Sequence, residues 1–400
     1  MCLYNTGYLV TQKSVPLRSN LYMMTMEPIR IVDLKSQYLR IKSEVDAAIR
    51  CVLDSTAFIQ GEAVSDFEQH LSQYVDSKYV VSCGNGTDAL TAALLALGIG
   101  PGDEVVTVPF TFIATVEAIA QVGAKPVLVD VREDSYMMDS DKLEAAITPK
   151  TKAVIPVHLY GQCADMEAIL DIAKKHNISV VEDACQAISA AYTFSDGHVK
   201  QAGTMGDIGC LSFFPSKNLG CYGDGGALMT QDEELSVRLR MICRHGSKER
   251  YRHEIVGINS RLDTLQAAIL NVKLNHLDAF ITARKQAADY YHSALSGMEW
   301  IVVPQASPYS THTYHQFTVT VQNGRRDALR QHLASHNIPT MIYYPVPAHL
   351  QPAYASLNYR KGDFPVAERL CSEVLSLPMH TELTEEQLEY ICQTIKNFPL

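Results

Sequence analysis

Ten cysteines are scattered singly through 400 residues, and none belongs to a C-x-x-C pair. Neither a disulfide framework nor a zinc site is expected from such spacing; reduced thiols in a cytosol are. Basic residues are in the minority: 34 Lys and Arg stand against 44 Asp and Glu, for a net charge of −10. That balance argues against the electrostatic footprint of a nucleic-acid binder, yet leaves room for a small anion held by a few local cations. No uninterrupted apolar run reaches the length of a membrane span. The first ~26 residues lack the sustained apolar core of a secretory leader. The expectation is a cytoplasmic protein without a membrane partner, in which residues 1–28 form an extension, either an alternative start or a flexible arm. No internal repeat or low-complexity tract interrupts the chain.

What the chain does have is length and apolar content. With 47% hydrophobic residues, it can bury one large core and a smaller second one. Short apolar runs at 79–83, 104–108, 126–129, 153–157, 178–182, 208–213 and 226–229 read as strands. Helical periodicity marks 34–54 and fills most gaps, notably 87–97, 112–122, 164–176 and 231–243. This alternation predicts an α/β fold with a mostly parallel seven-stranded sheet between helices, binding ligands beyond the carboxyl ends of its strands. After about residue 264 the pattern changes to a long helical stretch ending near Leu295. There follow H-Q-F-T-V-T-V, a helix near 326–335 and the proline-rich I-Y-Y-P-V-P-A-H. A large domain over 29–275 and a smaller α+β domain over 276–400 are predicted.

Lys217 stands in S-F-F-P-S-K-N-L-G-C-Y-G-D-G-G-A, residues 212–227. Two aromatics precede it, and Gly223, Gly225 and Gly226 follow, an unusual setting for a solvated surface lysine. Glycine-rich backbone lets a bulky ligand approach closely. Burial near cations would lower the amine's pKa and make it a nucleophile. Upstream, V-V-E-D-A-C-Q brings Asp183 to a strand's carboxyl end, three residues before Gln186. Alone, Asp183 reads as a helix cap or, with Glu182, as a metal ligand. Beside Lys217 it reads differently. An amine to form a Schiff base and an acid to hold a proton on a pyridine nitrogen are what pyridoxal phosphate (PLP) requires. Gln186 would donate to the ring's phenolic oxygen, and the Ser212 hydroxyl would reach the phosphate.

The segment S-C-G-N-G-T-D-A-L (82–90) follows a strand and opens a helix, so its backbone N–H groups and the Thr87 hydroxyl suit a phosphate. It lacks the G-K-[ST] of an ATP-binding loop. Gly84, Gly86 and Ala89 match a dinucleotide fingerprint, but Asp103 and Glu104 begin the next strand, where a ribose-binding acid should end one. Phe112, in P-F-T-F-I-A-T, reads either as core or as an aromatic stacked on a pyridine ring. Arg261 lies just after Asn259 and before a helix. It suits a carboxylate, or else a capping loop with a surface ion pair. His312 and His315 lack nearby carboxylates, and no metal is expected.

Together C-G-N-G-T-D-A-L, P-F-T-F-I-A-T, I-P-V-H-L-Y-G-Q, V-V-E-D-A-C-Q, S-F-F-P-S-K-N-L-G, G-D-G-G and N-S-R-L-D-T-L-Q-A-A-I resemble the DegT/DnrJ/StrS family of nucleotide-sugar aminotransferases, over about residues 29–398. The resemblance implies the type I PLP-dependent transferase fold. It implies Lys217 as the Schiff-base lysine, Asp183 on the pyridinium and Gln186 on the phenolic oxygen. Gly86, Thr87 and Ser212 would bind the phosphate, and Phe112 would stack on the ring. Asn259 would reach the cofactor phosphate of a second subunit, making a homodimer with shared sites. A sister branch with histidine in place of this lysine performs dehydration, so Lys217 implies transamination, with L-glutamate yielding 2-oxoglutarate and pyridoxamine phosphate. L-G-C-Y-G-D-G-G resembles enzymes that aminate carbon 3 of a keto sugar; carbon-4 enzymes more often end in E-G-G. The implied substrate is UDP-2-acetamido-2-deoxy-3-oxo-glucuronate, for O-antigen or lipopolysaccharide biosynthesis. Arg261 would meet its carboxylate, with Tyr343 and Tyr344 also at the sugar. Tyr343 stands where such uronate enzymes often place His. A dTDP-3-oxo- or 4-oxo-6-deoxyhexose is the alternative substrate, and a non-catalytic regulatory relative the alternative class.

Overall fold

The computed structural model describes residues 27–399; all but the last two residues of the expected 1–28 extension lie outside that range. Seven strands form the central sheet: β1 (Tyr79–Cys83), β2 (Glu104–Thr107), β3 (Lys125–Leu128), β4 (Thr151–Val154), β5 (Ser179–Asp183), β6 (Ile208–Ser212) and β7 (Gly226–Thr230). All seven coincide with the apolar runs. Their order is β1-β7-β6-β5-β4-β2-β3, parallel except for β7, which is antiparallel to both neighbours. Parallel neighbours need a crossover, usually a helix. Residues 213–225 form no helix, so the chain simply turns back from β6 into β7. That return loop carries Lys217.

Successive strand residues enter opposite cores, because side chains alternate across a sheet. Val80, Val106, Val154 and Val180 join one cluster, with the helices Glu62–Val75, Met166–His176 and Thr264–Asn275 packed on it. Val81, Val105, Ala153 and Val181 join the other, under the helices Gly86–Ala96 and Glu233–Ile242. Cover on both faces is why these strands read as continuous apolar runs. The helix Glu62–Val75 is an addition to the sequence reading, although its buried Val64, Phe67, Leu71 and Val75 carry the three-and-four spacing of a helix face.

The expected long helix from 264 to 295 is two helices, Thr264–Asn275 and Leu277–Leu295, meeting at His276. Beyond them Ile301–Val302, Phe317–Val321 and Val374–Leu377 pair antiparallel. They share a third cluster with Leu277–Leu295, Arg326–Ser335 and Glu385–Lys396. Among the described residues, no helix is long and apolar enough to cross a membrane.

Candidate active site

The carboxyl ends of β1, β2, β4, β5 and β6 open onto one cavity of about 650 Å³. Asn85, Gly86, Thr87 and Asp88 enter it after β1, Thr111 and Phe112 after β2, and Val157 after β4. Asp183, Cys185 and Gln186 come from β5; Ser212 and Lys217 come from β6 and the loop that follows. His315, Gln316, Tyr343 and Tyr344 complete the wall. Nine of the eleven predicted site residues therefore meet: Lys217, Asp183, Gln186, Gly86, Thr87, Ser212, Phe112, Tyr343 and Tyr344.

The Lys217 loop is tightly folded. Phe213 N–H donates to Gly225 O at 2.7 Å, Lys217 N–H to Phe214 O at 2.8 Å, and Cys221 N–H to Phe213 O at 2.8 Å. A Cβ on Gly220 would fall 2.3 Å from the Pro215 carbonyl oxygen, so the turn admits only glycine there. From the helix Thr264–Asn275, buried Lys273 donates from Nζ to Gly220 O at 2.6 Å. Burial pulls the Lys273 ammonium down to about 8. Asn218 Nδ2 donates to Thr313 O at 3.2 Å, tying the loop to the segment that carries His315. Burial lowers the Lys217 pKa below its ordinary value, against the opposing pull of Cys185 and Asp183. The neutral, nucleophilic amine is thereby favoured.

Asp183 is buried at the end of β5. Its Oδ2 accepts from Thr115 Oγ1 at 2.7 Å and its Oδ1 from Cys185 N–H at 3.3 Å. The neighbouring Glu182 points to the opposite face of the sheet. There it accepts from the N–H groups of Gly203, Met205 and Gly206 and pairs with His158 Nε2 at 2.8 Å. The reading in which Glu182 and Asp183 share a metal is thus replaced by two separate hydrogen-bonded carboxylates. Gln186 Oε1 accepts from Tyr160 N–H at 2.8 Å, and Nε2 donates to the Tyr344 hydroxyl at 3.0 Å, leaving one amide hydrogen for the cavity.

The helix Gly86–Ala96 starts at the cavity. Its N-cap Asn85 accepts from Asp88 N–H at 2.8 Å. The N–H groups of Gly86 and Thr87 have no hydrogen-bond partner among the described residues. These donors, at the positive end of the helix dipole, form an anion site. A Cβ on Gly86 would sit 2.7 Å from Ser212 Cβ and 3.1 Å from Cys185 Sγ. Gly86→Ala should accordingly cost about 1–3 kcal/mol of stability by overpacking, read as a lower denaturant midpoint.

Phe112 is 53% exposed, which favours the stacking reading over the core one. Its ring lies 5.9 Å from that of Tyr344, tilted by 41°. The Tyr343 carbonyl accepts from the Tyr160 hydroxyl. Thr115, Tyr160 and His315 serve the site without having been assigned to it from sequence. Thr115 does stand one helical turn after Phe112, within the same motif. Asn259 and Arg261 lie outside the cavity. Arg261 lines a separate small cleft with Gln60, Ser82 and Arg244, and Asn259 pairs with Arg244 in an isolated bridge. Between them, the Ser260 hydroxyl accepts Gly84 N–H at 2.8 Å.

This lining fits PLP: an amine shifted toward neutrality, a buried carboxylate, two unpartnered N–H groups beside side-chain-free Gly86, and an exposed aromatic face. The sequence profile described as the DegT/DnrJ/EryC1/StrS aminotransferase family matches residues 39–396. A "pleiotropic regulatory protein" of Geobacillus stearothermophilus is 46% identical over 92% of this chain and 98% of its own. The UDP-2-acetamido-2-deoxy-3-oxo-D-glucuronate aminotransferase of Pseudomonas aeruginosa is 46% identical over 92% of this chain and 100% of its own. A dTDP-3-amino-3,4,6-trideoxy-alpha-D-glucose transaminase of Streptomyces venezuelae is 42% identical, over 92% and 96%. The solved structure of S. venezuelae DesV with a ketimine intermediate superposes with TM-score 0.89 at 42% identity, covering 93% of this chain and 98% of that one. Other solved neighbours hold pyridoxamine phosphate or PLP. The chain belongs to the DegT/DnrJ/EryC1/StrS aminotransferase family and is a PLP-dependent aminotransferase of the type I fold.

Proposed function

We propose that this enzyme transfers the amino group of L-glutamate to carbon 3 of a nucleotide-linked keto sugar, UDP-2-acetamido-2-deoxy-3-oxo-glucuronate, for a cell-surface polysaccharide such as O-antigen. The observation that carries the reading is the meeting of Lys217 and Asp183 in one cavity at the sheet's carboxyl edge. When bound, PLP supplies an aldehyde that amines add to and a protonated ring that takes up the electron pair of a cleaved C–H bond. In this reading Asp183 faces the ring nitrogen and its charge keeps the proton there, while Thr115 fixes the carboxylate. The N–H groups of Gly86 and Thr87, with the Thr87 and Ser212 hydroxyls, hold the phosphate. Phe112 would cover the ring face, and the remaining Gln186 amide hydrogen would meet the phenolic oxygen. Lys217 anchors the cofactor at rest and yields its place to glutamate. Its freed amine would then take the proton from the donor's α-carbon and, in the reverse sense, return one to the sugar carbon.

The same reading calls for a homodimer. Four carboxylates line the cavity (Asp88, Glu117, Asp183 and Asp224), and among the described residues Lys217 is its only lysine or arginine. A diphosphate-linked sugar and a dicarboxylic donor need cations that this lining lacks. Arg244 and Arg261 lie together outside the cavity, and the hairpin of Ser247–Glu249 and Arg252–His253 carries exposed Lys248, Arg250 and Arg252. We assign Asn259 and Arg261 to the partner's cavity. Division into 29–275 and 276–400 is supported by a third hydrophobic cluster built almost wholly from the second part. Cytoplasmic placement is supported by the described cysteines, all of which are free.

Identity to the P. aeruginosa enzyme supports the uronate, and the G-D-G-G turn supports carbon 3. Tyr343 favours a second reading, a dTDP-linked 3-oxo- or 4-oxo-6-deoxyhexose, because a phenol supplies no positive charge for a sugar carboxylate. The pyridoxamine form, mixed separately with UDP-3-oxo-uronate, dTDP-3-oxo and dTDP-4-oxo sugars, should regain PLP absorbance with the uronate. Recovery with a dTDP sugar alone would overturn the substrate and leave the reaction class standing. Failure to convert glutamate to 2-oxoglutarate would favour a regulatory role, in line with the name of the Geobacillus relative.

A further inference from the structure

His315 is a buried imidazole on the cavity wall, 8% exposed, that no step above employs. Its Nδ1 is buried without a hydrogen-bond partner. Nε2 also makes no hydrogen bond among the described residues, although the residue lines the cavity. Its backbone, by contrast, is fixed from every side. Gly161, at φ +118°, would place a Cβ 2.9 Å from His315 N, so only glycine lets the two segments approach this closely. Thr313 N–H donates to Gly161 O at 2.7 Å, and Gln316 N–H to Tyr160 O at 3.3 Å. From the helix Leu277–Leu295, buried Arg284 donates from one guanidinium nitrogen to the carbonyls of Tyr314 (3.1 Å), His315 (3.2 Å) and Met379 (3.2 Å). Asn218, the residue after Lys217, closes the frame at Thr313 O. The imidazole is thus mounted on a cross-linked segment that is bonded directly to the lysine's own loop.

Resting on the reading of Lys217 as the proton carrier, we propose that His315 is its positioning residue, accepting a hydrogen bond from the Lys217 nitrogen whenever that nitrogen is not bonded to the cofactor. Such a role needs an imidazole that stays neutral, with one nitrogen lone pair free. Burial, together with the positive charges of Lys217 and Arg284, pushes the His315 pKa well below its ordinary value. Arg284 makes no ion pair with a carboxylate among the described residues, so its charge opposes protonation of the ring. In the donor half-reaction the α-C–H bond of glutamate breaks. Its proton goes to the Lys217 lone pair, and its electron pair goes to the electron sink that bound PLP supplies. The resulting ammonium has three N–H bonds. One donated to His315 fixes its rotation, so that another is aimed for redelivery. His312 cannot substitute: its ring stacks on Tyr314 at 4.0 Å, and its Nδ1 accepts Tyr314 N–H at 3.0 Å.

The test uses the PLP-loaded enzyme and glutamate with α-hydrogen or α-deuterium. His315→Leu should slow the single-turnover half-reaction by about 10- to 100-fold and raise the deuterium isotope effect, leaving the glutamate KM within about twofold. His315→Asn, which keeps an acceptor, should recover most of the rate. In the pyridoxamine form, where Lys217 is free, His315→Leu should also change the rate at which an amine-specific acylating reagent labels Lys217, read by mass spectrometry. Wild-type rate, isotope effect and labelling in His315→Leu would overturn the proposal. So would loss of rate with a raised KM and a lower melting temperature in both variants, which marks a merely structural residue. Lys217→Ala in parallel separates the two layers: if it retains turnover, the proton-carrier reading itself fails.

Discussion

Lys217→Ala is expected to slow the glutamate half-reaction by about 10⁴-fold or more, with the cofactor still bound. The variant loses two functions together: the amine that holds the cofactor at rest and the base that moves the α-proton. Among the described residues no other lysine lines the cavity to take over either role. Lys217→Arg should be no better, because a guanidinium stays protonated and lacks the free lone pair. A small soluble amine such as methylamine should restore part of the rate of the alanine variant by supplying the missing base. Single-turnover absorbance of the bound cofactor reads all three. Turnover of Lys217→Ala within tenfold of wild type would falsify the assignment.

The same burial that makes Lys217 reactive costs stability. Its folded pKa is lowered, chiefly by desolvation. Between that value and the ordinary lysine value, the unfolded chain binds more protons than the folded one, so stability rises with pH across this window. Below the window the penalty is present in full. Lys217→Met should therefore raise the unfolding midpoint of the cofactor-free protein at neutral pH. The gain should shrink through the window and vanish above the ordinary lysine value. Stability exchanged for reactivity at one residue is the pattern of an active site.

The sheet was legible because most residues of its seven strands are buried against helices on both faces, so each leaves a compact apolar run. The hairpin Ala191–Thr193 with Val199–Gln201 was not, since its three-residue strands are largely exposed and leave no apolar run. Residues of the site that sit in sequence next to a strand end were also readable, as with Asp183 and the Gly86–Thr87 helix start. Thr115, Tyr160 and His315 were not assigned, because each reaches the site only through the fold: Thr115 bonds Asp183 and Tyr160 bonds Gln186, 68 and 26 positions away, and His315 joins Lys217 only as a second wall of the same cavity. Arg261 and Asn259 carry a different lesson. Their sequence context points to a ligand, yet the cavity does not contain them, because the chain that carries them runs past a separate cleft with Arg244.

Asp183→Asn should slow both half-reactions by about 10²- to 10³-fold while leaving the fold and cofactor binding largely intact. A carboxylate close to a cationic acid raises the acid's pKa by about 1–3. Without that charge the ring nitrogen is mostly unprotonated at neutral pH and takes up a carbanion's electron pair poorly. Asparagine keeps an amide oxygen for the Thr115 hydroxyl, which now donates to Asp183 at 2.7 Å, so the side chain should hold its place. The loss then reports charge rather than packing. Thr115→Val should act in the same direction but more weakly, by about tenfold, since it frees the carboxylate to rotate without removing it. The pH profile distinguishes the two. In Asp183→Asn the rate should climb as pH falls and protonates the ring directly, until protonation of Lys217 takes over. In Thr115→Val the wild-type shape should persist at a lower height. An Asp183→Asn enzyme with wild-type rate and profile would place the ring nitrogen elsewhere in the cavity, and the cofactor's orientation would have to be reassigned.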